Sequence, residues 1–236
     1  MQKGLSSLFN VQNWTLFELV WLALFVCAGT VVTVFTQDSL FNYAILLTGI
    51  FCVVLAAKGN IWTYAFGLVN SLGYAYVALT NGLYGDMGLN ILFFVPTNII
   101  GFMLWRRHQA INTVAMRELD IIQLGVILIA CAALVGILGF ALANIKTQNT
   151  PYLDATSTIL SIAATLLMML RYKEQWVLYI VLNIVTIVMW FIRHLAGSAD
   201  GAIMMLMWSA FLINSIYGYF VWRKGAMLAH KVEPIA

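Results

Sequence analysis

Amide and aromatic side chains recur at helical spacing along several apolar stretches of this chain, and they are the groups with chemistry to offer. Trp176, Asn183 and Trp190 fall seven residues apart, which is two turns of an α-helix, with Tyr179 and Thr186 beside them. Asn90, Phe94 and Asn98 are four apart, a face that drifts slowly around the axis, and Pro96 near the middle removes a backbone hydrogen bond and is expected to kink the rod. Trp62, Phe66, Asn70 and Tyr74 share that spacing; Trp208, Phe211, Asn214 and Tyr217 form another face, and Asp154, Thr158, Ser161 and Thr165 a fifth. Flat rings hold a planar or cationic guest by stacking and cation–π contact, while neutral amides suit hydroxyl and carboxamide groups. A small nucleoside-like vitamin fits both. Each group also has a plainer use, Asn and Ser as hydrogen-bond links between helices and Trp as an interfacial anchor. The anchor is the expected role of Trp105 and Trp222, each followed by two basic residues.

Other chemistry finds little support. No chain of intramembrane carboxylates and no histidine relay is visible, so facilitated diffusion is the simpler expectation. Neither G-x-x-x-x-G-K-[ST] nor G-x-G-x-x-G occurs. His108, His194 and His230 fall at span ends or tails without metal-ligand spacing, and hydrolysis by a Ser-His-Asp set needs His194 to turn inward from an outer loop. The chain is read as no enzyme and as holding no cofactor or metal. Asp86, Asp154 and Asp200, at outer ends, read as helix N-caps, and Glu18 as snorkelling or paired. Cys27, Cys52 and Cys131, an odd number inside apolar stretches, read as buried thiols.

The elements that must position these groups are membrane spans. Hydrophobic residues make up 63% of the 236 positions and charged ones 9%, with a mean hydropathy of +0.92. A soluble domain typically has about 45–50% and 25%. The twelve basic residues form no run longer than two, which points to a membrane surface and not to nucleic acid. Apolar runs fall at 15–36, 42–57, 61–80, 87–105, 120–144, 154–171, 176–195 and 201–222, and their length without alternation predicts eight helices. Residues 1–13 are mixed and the run after them is of full span length, so it reads as a retained helix. Residues 106–120 and 146–154 are the polar connections. Eight spans place Lys3, Lys58, Arg106, Arg107, Arg117, Arg171, Lys173, Arg223, Lys224 and Lys231 on the side of both termini, against Lys146 and Arg193 opposite. That bias predicts cytoplasmic termini.

The chain also repeats itself. Trp62 aligns with Trp176 and Asp86 with Asp200 at an offset of 114, and Trp105 with Trp222 at 117. The expected organisation is one transmembrane domain, 1–236, with an extra N-terminal helix (1–37), a three-helix repeat (40–106), a linker helix (118–146), a second three-helix repeat (153–224) and a cytoplasmic tail (225–236). A single linker restores the orientation of an odd unit, so the copies are parallel, and carriers built this way hold substrate between halves near mid-membrane.

Five segments carry a family resemblance: Tyr64-Ala-Phe-Gly67-Leu-Val-Asn70; residues 84–105 with Asn90, Phe93-Phe94, Asn98 and Gly101; Leu153-Asp154 leading into Ile159-Leu-Ser-Ile162; Arg171-Tyr-Lys-Glu-Gln-Trp176 running to Asn183; and Asn214 to Trp222. In this order the chain resembles the PnuC family of bacterial nicotinamide riboside (vitamin B3) transporters from about residue 40 onward. The resemblance implies a SWEET-like 3+1+3 arrangement, a homotrimer in the bacterial inner membrane, and uptake of nicotinamide riboside trapped by cytosolic phosphorylation. The extra first helix departs from the shortest members. The expected substrate contacts are Asn70, Asn90, Phe94, Asn98, Trp176, Tyr179, Asn183, Trp190, Asn214 and Tyr217. A thiamine-type vitamin carrier and a SWEET-like sugar carrier are the rival readings, with a membrane-embedded scaffold or enzyme more distant.

Overall fold

The computed structural model describes residues 14–37, 39–80, 84–110, 113–144, 150–197 and 201–232. Lys3, Lys146 and Asp200 lie outside the described residues, as do the side chains of Asp86, His230 and Lys231. The apolar runs fold into helices, which pair each backbone N–H and C=O inside its own segment. In chain order these are α1 (Leu16–Thr36), α2 (Leu40–Ala57), α3 (Thr63–Thr80), α4 (Tyr84–Leu89), α5 (Val95–Arg107), α6 (Ile121–Ala143), α7 (Pro151–Met169), α8 (Gln175–Leu195) and α9 (Gly201–Val232). A π-helical segment, Asn90–Phe94, joins α4 to α5, so the described residues form eight rods. A short antiparallel hairpin, β1 (Gln109–Ala110) with β2 (Thr113–Val114), occupies the connection that the sequence marks only as polar. Seven rods are long and apolar enough to cross a membrane, while α3 falls short because Asn70, Ser71 and three tyrosines dilute it. This is an all-helical membrane fold with seven or eight crossings.

Helix starts follow local chemistry. Thr15 with Glu18 and Asp120 with Gln123 form capping boxes at α1 and α6, each satisfying backbone N–H groups that the first turn leaves open. At α7 the cap is Thr150 and not Asp154, because Pro151 has the fixed φ and missing N–H that suit the first helical position. Asp154 therefore sits in the first turn, where its Oδ1 accepts from Thr150 Oγ1 at 3.3 Å. Glu18 is paired, its carboxylate 2.7 Å from Lys58 Nζ. Of the three cysteines only Cys131 is buried; Cys27 is exposed, contrary to expectation. α9 runs to Val232, past the expected end at 222.

The chain divides into two compact units, Met1–Val114 and Ala115–Ala236. In the first, α1 packs on α2, α2 on α3, and α3 on the α4–π–α5 rod; in the second, α6 packs on α7, α7 on α8, and α8 on α9. The helix read as a linker is thus part of the second unit. Cys131 of α6, Leu160, Ala164 and Leu167 of α7, and Leu178 and Leu182 of α8 form a buried apolar cluster there.

The corner between the second and third rods uses one hydrogen-bond scheme in both units, 112 residues apart. Asn60 N–H donates to Leu55 O, and Tyr172 N–H to Leu167 O, both at 2.9 Å. Gly59 N–H donates to Ala56 O at 2.9 Å, and Arg171 N–H to Met168 O at 3.0 Å. Both turns pass through the left-handed region, with φ of 66° at Gly59 and 68° at Arg171. The Gly59 carbonyl then accepts from Val114 N–H at 3.0 Å, and the Arg171 carbonyl from Arg117 N–H at 2.8 Å.

The third and fourth rods are matched as well. Tyr64 lies against Gly101 and edge-on to Trp105 at 5.0 Å; Trp176 lies against Gly218 and edge-on to Trp222 at 6.1 Å. Trp105 and Trp222 are fully buried, which corrects their reading as interfacial anchors. A ring from the neighbouring rod covers each, and the glycine four residues earlier leaves the space for it. Trp176 holds the place of Tyr64, not of Trp62, so contacts run at an offset of 112 in the third rods and 117 in the fourth.

Candidate functional site

The buried face of α8 carries the polar and aromatic groups of the second unit. Gln175 is 0% exposed, Trp176 and Asn183 2%, Thr186 5% and Trp190 7%, so the seven-residue stripe faces the interior of its unit. Small residues on α9 admit it: a Cβ on Gly218 would come within 2.7 Å of the Trp176 ring. Tyr179 stands beside Trp176 with ring centroids 5.9 Å apart, and its hydroxyl meets Thr165 Oγ1 of α7 at 3.3 Å. Asn183 Nδ2 donates to Ser215 Oγ at 2.9 Å, and that hydroxyl donates to Phe211 O at 2.7 Å. Asn214 is buried next to Ser215, and Tyr217 is half-buried on the same helix. At the other end of the stripe the Arg193 guanidinium lies 5.2 Å over the Trp190 ring and within electrostatic reach of Asp154.

Three groups in this unit have polar atoms buried without an answer. Both atoms of the Gln175 carboxamide, the Trp176 Nε1 and the Trp208 Nε1 find no hydrogen-bond partner among the described residues. Leaving such a group unpaired costs about 1–3 kcal/mol; in the first unit Trp21 Nε1 and Thr33 Oγ1 of α1 are buried in the same way. The matched position in the first unit behaves differently: Thr63, also 0% exposed, donates its hydroxyl to Cys52 O at 2.8 Å. Gln175 was not among the expected contacts. It opens a helix directly after the four charged or aromatic residues 171–174 of the corner, and only coordinates reveal its complete burial.

In the first unit the expected residues are more dispersed. Asn98 Nδ2 donates to Phe94 O at 2.8 Å and to Ser71 Oγ on α3 at 3.3 Å. Asn70 Nδ2 donates to Ile45 O on α2 at 2.8 Å, so this amide donor links two helices and does not meet Asn98. Asn90 is buried at the head of the π segment, where its carbonyl accepts from Val95 N–H, and Phe94 packs on Phe93 at 5.3 Å. The Ser71–Asn98 link and the Asn183–Ser215 link occupy matched positions, at offsets of 112 and 117, with amide and hydroxyl exchanged between rods.

Apolar rods too numerous for a soluble core, carrying inward faces of rings and amides, are the build of a multi-pass membrane transporter. Residues 39–224 match the family model described as nicotinamide mononucleotide transporter, and the chain belongs to that family. Relatives that carry the name nicotinamide riboside transporter PnuC are similar along most of the chain. The one from Neisseria mucosa is 41% identical over 90% of this chain and 82% of its own length. The one from Haemophilus influenzae is 36% identical over 91% and 92%. A crystal structure described as the vitamin B3 transporter PnuC superposes with a TM-score of 0.80 at 37% identity, covering 91% of this chain and 94% of that one. The family is one of transporters, which sets the enzyme reading aside.

Proposed function

We propose that this chain carries nicotinamide riboside across the bacterial inner membrane by facilitated diffusion, with cytosolic phosphorylation trapping the substrate. The observation that carries the reading is the α8 face, where Gln175, Trp176 and Asn183 are buried together and the Gln175 carboxamide and Trp176 N–H stand unanswered. A pyridinium ring is a cationic plane that Trp176, Tyr179 and Trp190 suit by stacking. Its carboxamide and ribose hydroxyls suit Gln175, Asn183, Asn214 and Tyr217. In the first unit Asn70, Asn90, Phe94 and Asn98 are proposed contacts of the same kinds. The relatives' names support this substrate.

The rods form parallel three-helix repeats in a SWEET-like 3+1+3 arrangement, with α6 as the intervening helix and α1 as the extra one. The shared corner scheme supports the repeat. Both termini are cytoplasmic, a reading supported by the ten-to-two bias of basic residues. The homotrimer rests on the resemblance, and the exposed apolar face further along α6, with Val126, Ile129 and Ile137, offers surface for sister subunits.

The test is binding of the riboside to purified wild type and to Gln175→Leu, Asn183→Ala and Trp176→Ala, with thiamine and hexoses as competitors. Loss of one buried hydrogen bond to a charged ligand weakens binding by about tenfold, and each variant is expected to show at least that. Wild-type affinity in all three variants, or displacement by a hexose, refutes the assignment.

A further inference from the structure

Arg171 stands where the matched corner of the first unit has Gly59, in the left-handed region that disfavours any Cβ. A side chain kept in such a conformation points to a use for it. The strand that follows β2 brings a second guanidinium to the same place. Arg117 N–H donates to Arg171 O at 2.8 Å, and Arg117 O accepts from Lys173 N–H at 2.9 Å. The Arg117 guanidinium lies 4.5 Å over the Tyr172 ring, and Arg171 Nη1 donates to Ala115 O at 3.4 Å. Met116, buried against Gly225 of α9, fixes this segment on the unit.

The surrounding carboxylates are engaged elsewhere. Glu118 and Glu174 pair with Lys173, Glu174 Oε2 also accepts from Leu119 N–H at 3.1 Å, and Asp120 Oδ2 accepts from Ile122 N–H at 3.3 Å to cap α6. Among the described residues no carboxylate pairs with Arg117 or Arg171. Burial, and then the charge of Arg117, push the Arg171 guanidinium below its ordinary range.

We propose that Arg117 and Arg171 form a binding site for a phosphate group, filled by the phosphodiester of an anionic phospholipid. Two guanidiniums on hydrogen-bonded backbone segments present donor forks that match phosphate oxygens. The site lies where α7 ends and α6 is about to begin, the level at which headgroups meet the ends of spans. Leu166 and Leu170 on one side, and Ile121 and Ile122 on the other, are exposed and apolar, a surface for acyl chains that a free phosphate ion does not use. The inference rests on α6 and α7 crossing the bilayer and is independent of the substrate.

The full-length protein in a neutral maltoside detergent is heated with phosphatidylglycerol, phosphatidylcholine or inorganic phosphate, and native mass spectrometry counts retained lipid. Phosphatidylglycerol is expected to raise the wild-type Tm by roughly 2–4 °C, phosphatidylcholine, whose quaternary ammonium brings a like charge to the guanidiniums, by clearly less, and inorganic phosphate, which lacks acyl chains, not at all. Arg117→Gln and Arg171→Gly lose most of that rise, while Arg107→Gln, an exposed arginine of the first unit, keeps it. Because glycine relieves the left-handed backbone, Arg171→Gly without lipid unfolds no earlier than wild type, which separates a lost ligand from a damaged fold. An equal rise with phosphatidylcholine, an undiminished rise in both variants, or displacement of the lipid by inorganic phosphate overturns the proposal. Riboside binding is read in the same samples, and its absence beside an intact lipid response sinks the transport reading alone.

Discussion

The corners at Gly59 and Arg171 close the same turn with the same hydrogen bonds, and the rods beyond them then part company in chemistry. One turn on, the first unit buries Thr63 and satisfies its hydroxyl with Cys52 O at 2.8 Å. The second buries Gln175 at the matched position and leaves both amide atoms open. Thr63 is thereby part of the scaffold, whereas Gln175 keeps hydrogen-bonding capacity that the described residues do not use. The Ser71–Asn98 and Asn183–Ser215 links teach the converse. Amide and hydroxyl change places while the contact persists, so the contact belongs to the frame as well as to any ligand.

Four experiments break or sharpen this comparison. Trp105→Ala and Trp222→Ala empty fully buried positions and should each cost about 3–5 kcal/mol in denaturant unfolding in detergent; a large loss in one and a negligible loss in the other breaks the match. Gly101→Ala and Gly218→Ala drive a methyl into Tyr64 and Trp176 and should each lose about 1–3 kcal/mol by overpacking, read as a lowered Tm. Gln175→Leu and Thr63→Val should move apo stability in opposite directions by about 1–2 kcal/mol. The first removes an unsatisfied amide and the second a satisfied hydroxyl, so the same sign in both denies the contrast. Smallest is the exchange of Asn183→Ser with Ser215→Asn, which copies the first unit and should stay within about 1 kcal/mol of wild type, whereas Asn183→Ala alone costs about 1–2 kcal/mol. A double variant less stable than Asn183→Ala would show that the two links are not equivalent.

Much of this frame is legible in the residues. Spans of apolar residues with charged or polar ends specify their own helices, and apart from the end of α9 the observed rods begin and end within a few residues of the apolar runs. The inward stripe of Trp176, Asn183 and Trp190 is legible too, because spacing of seven fixes a face. What spacing does not fix is depth at the ends. Trp105 and Trp222 precede paired basic residues, the signature of an interface, yet a ring across from a glycine covers each. The same blindness hid Gln175. Register is subtler: Trp62 and Trp176 are alike in type, but the contact with the glycine belongs to Tyr64, and only packing distinguishes identity of residue from identity of place. The grouping of α6 with the second unit depends on tertiary contacts such as that of Cys131 with α7 and α8, which a uniformly apolar helix does not announce.

Between Asn90 and Asn98 an uninterrupted α-helix rotates its side chains out of line by about 80°. Five residues of that stretch wind instead in the broader i→i+5 coil, with Val95 N–H reaching back to the Asn90 carbonyl. The broader coil advances less per residue and takes back part of the rotation, so the two carboxamides stand nearer to one meridian of the rod than counting implies. Pro96 keeps it so, since it brings no N–H to reclaim a carbonyl upstream. The segment acts as a vernier: each of its five residues turns the rod by less than an α-helical residue does, so α5 is set against α4 at an angle that counting along the sequence misses.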